Sequence, residues 1–170
     1  MRLHLTTTQH DQLRAYLFDT SERVAFLFAA LADGGHDAHV AELWLLDEHD
    51  YQHTNRYGVE LAEHVRPQLI RTAHQHEYAV IEAHAHDWPG RYTLFSATDL
   101  NGLSELGPHM TWRLHGRPYA ALVFGQDSFD ALQWHSTGEI TTVDALVIDG
   151  KPVGPTALSL TRVSDRMSRR

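Results

Sequence analysis

The sequence predicts one α/β domain in the broad sense, an α+β arrangement in which a mixed β-sheet is flanked by helices. Three observations carry that expectation. Stretches with helical spacing alternate with apolar runs in the first two thirds of the chain. Short apolar runs punctuated by Gly125, Gly138, Gly150 and Pro152 fill the last third. The length of 170 residues suits one core, and helices set between strands followed by a run of strands define layers of this kind.

Thr7 to Leu17 reads as a first helix, with Leu13, Leu17 and Phe18 on one face. Val24 to Leu31 is continuously apolar, and Asp33-Gly34-Gly35 separates it from Val40, Leu43, Trp44, Leu45 and Leu46. Two apolar runs around such a turn predict a β-hairpin, although Ala29 to Ala32 also suits a helical turn. Glu48 to Asn55 is polar and reads as a loop, with Asp47, Glu48 and Asp50 as solvated charges. Val59 to His74 has the spacing of a second helix, kinked or broken at Pro67. Tyr78 to Ala85 reads as a buried strand, Asp87 to Phe95 as a loop around Pro89-Gly90, and Ser96 to Leu106 as a third helix. Trp112 to Leu114, Tyr119 to Phe124, Ala131 to Trp134 and Thr142 to Val147 read as strands. The domain spans 1–163, and the polar stretch 164–170 is expected to be a frayed tail.

Composition narrows the chemistry. Cysteine is absent, so disulfides and thiolate metal sites are excluded. Any metal site must draw on His, Asp, Glu and water, and 14 histidines supply candidates as well as chance pairs. A formal net charge of -8, with Lys151 the sole lysine, argues against a nucleic-acid partner. No apolar run approaches a membrane span, and Met1-Arg2-Leu3-His4 leads into threonines rather than a signal-peptide core. The expected location is the cytoplasm. His4, His10, His36, His49, His53, His109 and His115 are expected at the surface, and Trp44, Trp112 and Trp134 in the core.

His84-Ala85-His86 stands at the end of the strand read over Tyr78 to Ala85. Residues i and i+2 of an extended strand share a face, so both imidazoles can reach one ion. Taken alone in a chain this rich in histidine, the pair reads first as two polar residues at a strand end. Ser96-Ala97-Thr98-Asp99 has the form of a capping box, in which an acid three residues after a serine satisfies free backbone N–H groups. A metal role for Asp99 requires only that its carboxylate also turn towards the histidines. Glu22, just before the apolar run, is an ordinary place for an acid. His74 and His76 belong to a helix end or turn.

Taken in order, Glu22, then His84-Ala85-His86, then Ser96-x-x-Asp99 resembles the JAB/MPN metalloprotease motif, also called JAMM. The residues Ser21 to Phe28 are similar to the family's glutamate and following strand, Val80 to His86 to its strand entering the metal site, and Tyr119 to Gly125 to the strand after the motif helix. The resemblance spans roughly Thr7 to Gly150 and implies the cytidine-deaminase-like fold of that family. It implies that His84, His86 and Asp99 bind Zn2+ with a position left for water, as catalytic zinc sites do. It implies further that Glu22 acts as general acid–base and that Ser96 supports the oxyanion. Two differences stand out. Nine residues separate His86 from Ser96, two more than in the family motif, and Ala85 replaces the usual Ser or Thr, with no Pro after His86. Asp87 is an alternative ligand.

The activity so implied is cleavage of an isopeptide or peptide bond to a ubiquitin-like or sulfur-carrier-like protein. A short connection, Gly107 to Pro118, follows the motif helix, which suits a compact enzyme, and Trp88, Tyr92, Leu94 and Phe95 are candidates to line the approach. The alternatives are a small-molecule amide hydrolase on the same fold and a non-catalytic scaffold. The scaffold is disfavoured because all five motif residues are present. Metallo-β-lactamase-like hydrolases require further ligands where Trp88 and Pro89 stand, an amidohydrolase barrel needs a longer chain, and a cupin would not explain the helices around Val65 and Leu103.

Overall fold

The computed structural model describes residues 1–55, 58–87 and 92–167. Among them the elements run β1 (Arg2–Leu5), α1 (Thr7–Leu17), β2 (Val24–Ala32), β3 (Asp37–Leu45), β4 (Tyr51–Asn55), β5 (Gly58–Leu61), α2 (Val65–His76), β6 (Ala79–Ala85), α3 (Ala97–Arg113), β7 (Tyr119–Phe124), β8 (Phe129–Trp134), β9 (Ile140–Thr141), β10 (Ala145–Ile148), β11 (Lys151–Val153) and α4 (Leu158–Met167). Nine strands form one sheet in the order β11-β10-β1-β3-β2-β6-β7-β8-β9, and β4 pairs with β5 in a separate hairpin. Strand β1 runs parallel to β10 and β3, and β6 parallel to β7, while the other pairings are antiparallel. The fold is therefore the mixed α+β arrangement that the alternation of patterns predicts.

Both faces of the central strands are covered, which explains why β2 is an unbroken apolar run rather than an alternating one. Ala25, Leu27 and Ala29 pack with Leu13 and Leu17 of α1 on one face. Val24, Phe26 and Phe28 pack on the other face, against Leu69 of α2 and Leu103 and Met110 of α3. Phe26 and Phe28 are 2% and 1% exposed, and full burial of such a side chain contributes about 1.5–3 kcal/mol. The turn between β2 and β3 places Asp33, Gly34 and Gly35 at positive φ; two of the three are glycine, which pays no Cβ penalty there.

Several elements depart from the sequence expectation. The predicted loop over Glu48 to Asn55 is a short 3-10 turn (Glu48–Asp50) followed by β4. Asp50 is buried and pairs with His64 at 2.9 Å, so the acidic run is not simply a solvated loop. The predicted helix over Val59 to His74 is β5 followed by α2. Pro67 falls in the first turn of α2, where its missing N–H has no intrahelical acceptor to serve. The predicted strand at Trp112 to Leu114 is the end of α3 and its cap, and Trp112 is 69% exposed. The connection expected from Gly107 to Pro118 is instead largely a continuation of α3 to Arg113, and a Cβ at Gly107 would run into the Trp134 ring. Glycine there lets α3 lie against β8.

Strand β1 and helix α4 are additions to the sequence reading. Helix α4 carries regular structure into the stretch expected to fray, and residues 168–170 lie outside the described residues, as do Trp88 and Pro89-Gly90. Trp134 is in the core as expected, and Trp44 is half-buried. The histidines expected at the surface are exposed or half-buried. Among the described residues no helix is long and apolar enough to cross a membrane.

Candidate metal centre

The site is assembled at one end of β6. Val24 of β2 pairs with His84 of β6, and Phe26 with Glu82, so these side chains share the face covered by α2 and α3. His86 lies one residue beyond the strand, but its N–H still donates to the Phe124 carbonyl at 2.8 Å. The extended backbone therefore continues, and His84 and His86 keep the common face that their spacing predicts. Their rings lie 4.9 Å apart between centroids, at 65°.

Asp99 arrives from α3. Ser96 is the N-cap: its Oγ accepts from the Asp99 N–H at 3.1 Å, and the Asp99 Oδ2 accepts from the Ser96 N–H at 2.6 Å. The capping box is thus real, and it aims the carboxylate rather than diverting it. The same Oδ2 stands 3.6 Å from His84 Nε2 and 3.4 Å from His86 Nε2. A carboxylate in the first turn also sits at the positive end of the helix dipole.

Glu22 comes from the segment before β2, beyond the last β2–β6 pair. A tertiary contact holds it: its N–H donates to the Asn55 carbonyl at 3.0 Å, and Thr54 Oγ1 donates to its carbonyl at 2.6 Å. The β4–β5 hairpin, misread in sequence as a loop and part of a helix, is what fixes this residue. One ligand atom from each of Glu22, His84, His86 and Asp99 lies within 4.8 Å of every other. Three separate stretches of the chain converge.

Two further observations test whether a metal fits. His84 Nε2 is buried and has no hydrogen-bond partner, an arrangement that costs free energy unless something ligates it. Tetrahedral bonds of about 2.0–2.1 Å to N and O ligands place neighbouring ligand atoms about 3.3–3.4 Å apart, close to the 3.4 and 3.6 Å between the imidazoles and Asp99. The residues present fit a divalent cation.

Neighbouring contacts orient the imidazoles as metal ligands require. With its Nδ1–H donated to the Leu94 carbonyl at 3.3 Å, His86 keeps Nε2 as the coordinating atom. The Phe95 ring packs on His84 at 5.6 Å. Electrostatics point the same way. Burial opposes charge on His84, but Asp99, Glu82 and Glu22 outweigh it and raise its pKa. Burial would raise Asp99, yet the two imidazoles and Ser96 hold it well below the usual carboxylate range. Surroundings that favour a proton on His84 favour any cation there.

The loop leading to Ser96 is tied down from the far end of the chain. The Phe95 N–H donates to Ser159 Oγ at 2.9 Å, the Ser159 N–H to the buried Asp130 Oδ2 at 2.8 Å, and Thr156 Oγ1 to the Thr93 carbonyl at 2.8 Å. Replacing Ser159 with alanine leaves the Phe95 N–H buried without an acceptor, which costs about 1–3 kcal/mol. The expected result is a lowered denaturation midpoint together with weaker metal retention. An unchanged midpoint in urea would show that the tether contributes nothing.

The structure brings together Glu22, His84, His86 and Asp99, with Ser96 adjoining as the cap of Asp99. It does not recruit Asp87, whose exposed carboxylate accepts from Gln126 Nε2 at 2.6 Å. Phe95 is fully buried and belongs to the core, whereas Tyr92 is 80% exposed. Sequence reasoning passed over Glu82 and Tyr119. The Tyr119 hydroxyl donates to Glu82 Oε2 at 2.8 Å, and burial pushes the pKa of both groups up. The available signal was an acid inside the apolar run Ala79 to Ala83. Both residues line a cavity of about 600 Å³ that also touches Glu22, His84 and Asp99.

Fold and site together define an α+β domain with a His/carboxylate group that could hold a metal ion. No family model matches the chain, and no curated protein matches it. The fold is similar to that of protein DSY2949 from Desulfitobacterium hafniense, known from a solution structure. The TM-score is 0.51 at 13% identity, over 87% of this chain and 92% of that one. At that identity the likeness concerns the fold alone.

Proposed function

We propose that this chain is a zinc-dependent amide hydrolase of the JAB/MPN type, acting on the C-terminal tail of a ubiquitin-like or sulfur-carrier-like protein. The convergence of Glu22, His84, His86 and Asp99 within 4.8 Å carries the reading. His84, His86 and Asp99 hold the cation through two neutral nitrogens and one carboxylate, a donor set suited to zinc. Bound zinc acidifies water and polarises a carbonyl. Glu22 takes the proton from the attacking water and returns it to the leaving amine. Ser96 Oγ accepts from the Asp99 N–H, which leaves its own proton to donate to the developing oxyanion. The tail enters beside the β4–β5 hairpin and α3, which both line the cavity.

A small-molecule amide hydrolase on the same fold is the second reading. The cavity favours it, since about 600 Å³ lies within the range of ordinary ligand pockets. Metal analysis combined with cleavage assays separates these possibilities. The expected result is one zinc per chain and release of the C-terminal extension from a ubiquitin-like fusion. Zinc with turnover of small acyl-amides only would select the second reading. A chain that takes up iron in place of zinc, or no metal at all, would remove the zinc hydrolase.

A further inference from the structure

We propose that the cavity receives an amine-bearing arm of the substrate, with the amine bound at Glu82. This rests on the metal centre described above and adds the substrate class. Glu82 lies two residues before His84 on β6, on the same face, so the two side chains are one strand repeat apart, about 6.6 Å. The Tyr119 hydroxyl, donating at 2.8 Å, fixes the orientation of the Glu82 carboxylate. An ionised carboxylate can accept roughly four hydrogen bonds, and Tyr119 supplies one while Glu82 also faces the cavity.

The rest of the lining suits the same ligand. Among the described residues, Glu22, Glu60, Glu63, Glu82 and Asp99 border the space, against one arginine, Arg66. Arg66 is exposed, and although its charge reaches Glu82 and Tyr119, it is outnumbered by the acids. Between the acids the walls are apolar, including Phe26, Leu61, Leu69, Leu103 and Leu106. An alkyl stem fits such walls while its ammonium reaches a carboxylate, which is how lysine-like chains divide their surfaces. A carboxylate set among apolar side chains costs free energy unless it gains partners. A ligand amine supplies one.

Three hydroxamates of matched length, each anchored on the metal, test this by binding to the zinc-loaded protein. These are 6-aminohexanohydroxamate, the neutral heptanohydroxamate and the anionic adipic monohydroxamate. The amino compound is expected to bind at least about tenfold more tightly than the neutral one, the scale of one charge-assisted hydrogen bond. The anionic compound should bind most weakly. In Glu82→Gln the amino preference should vanish while heptanohydroxamate binds as before, which also reports that the variant is folded. Equal affinities, a preference for the anionic probe, or an amino preference that survives Glu82→Gln would overturn the amine site and leave the metal centre standing. Failure to load zinc would remove the hydrolase and this inference together.

Discussion

Replacing His84 with alanine is expected to abolish metal binding and hydrolysis together. His84 is 5% exposed, and its Nε2 is buried without a hydrogen-bond partner. Asp87, the alternative ligand next in the chain, lies outside the cluster and accepts from Gln126 instead. Loss of an outer-sphere partner typically lowers metal affinity about 10–100-fold, and loss of a direct ligand should exceed that. The measurement is metal content after dialysis against a weak chelator, with circular dichroism confirming that the sheet persists. Stoichiometric zinc in the folded variant would sink the assignment of the centre.

Glu22→Gln should behave differently. The amide keeps the size of the side chain, and the backbone at residue 22 is held by Asn55 and Thr54 through main-chain groups that the substitution leaves intact. Metal content should therefore match the wild type. Turnover should fall by about 10²–10⁴, the contribution of a positioned acid–base group. KM should change little, since a proton transfer made in the transition state weighs on kcat. Loss of the metal in this variant would make Glu22 a fourth ligand rather than the base. Full turnover with the metal in place would remove it from the mechanism.

The two substitutions also mark the difference between what was legible locally and what was not. The histidine pair was legible because a period of two on a strand is a local rule, and β6 obeys it through His86. The capping box was equally local, and Ser96 and Asp99 adopt it. What no local rule supplies is the direction of Asp99. The cap and the approach to the imidazoles use the same oxygen, so the two readings that compete in sequence coexist in the structure. Glu22 is the extreme case. Its placement depends on β4, a segment whose polar residues look like a loop because β4 pairs only with β5, outside the main sheet.

The misread elements have the same origin. Helix α3 runs through Gly107-Pro108, which local propensity treats as a stop, because its packing against Trp134 outweighs that preference. Strand β1 is four residues long and gains its identity from parallel neighbours β10 and β3. Short strands have no periodicity to display.

The order of residues by itself determined the α+β class, the helix α1, the hairpin of β2 and β3, the strand carrying His84 and His86, and the cap that starts α3. Each follows from interactions between residues close in the chain or from burial of an apolar face. Only the tertiary structure decided that Glu22 and Asp99 meet the imidazoles, and that Glu82 and Tyr119 line a cavity beside them. Convergence of distant side chains depends on strand order and helix packing, and these are set by the whole core acting at once.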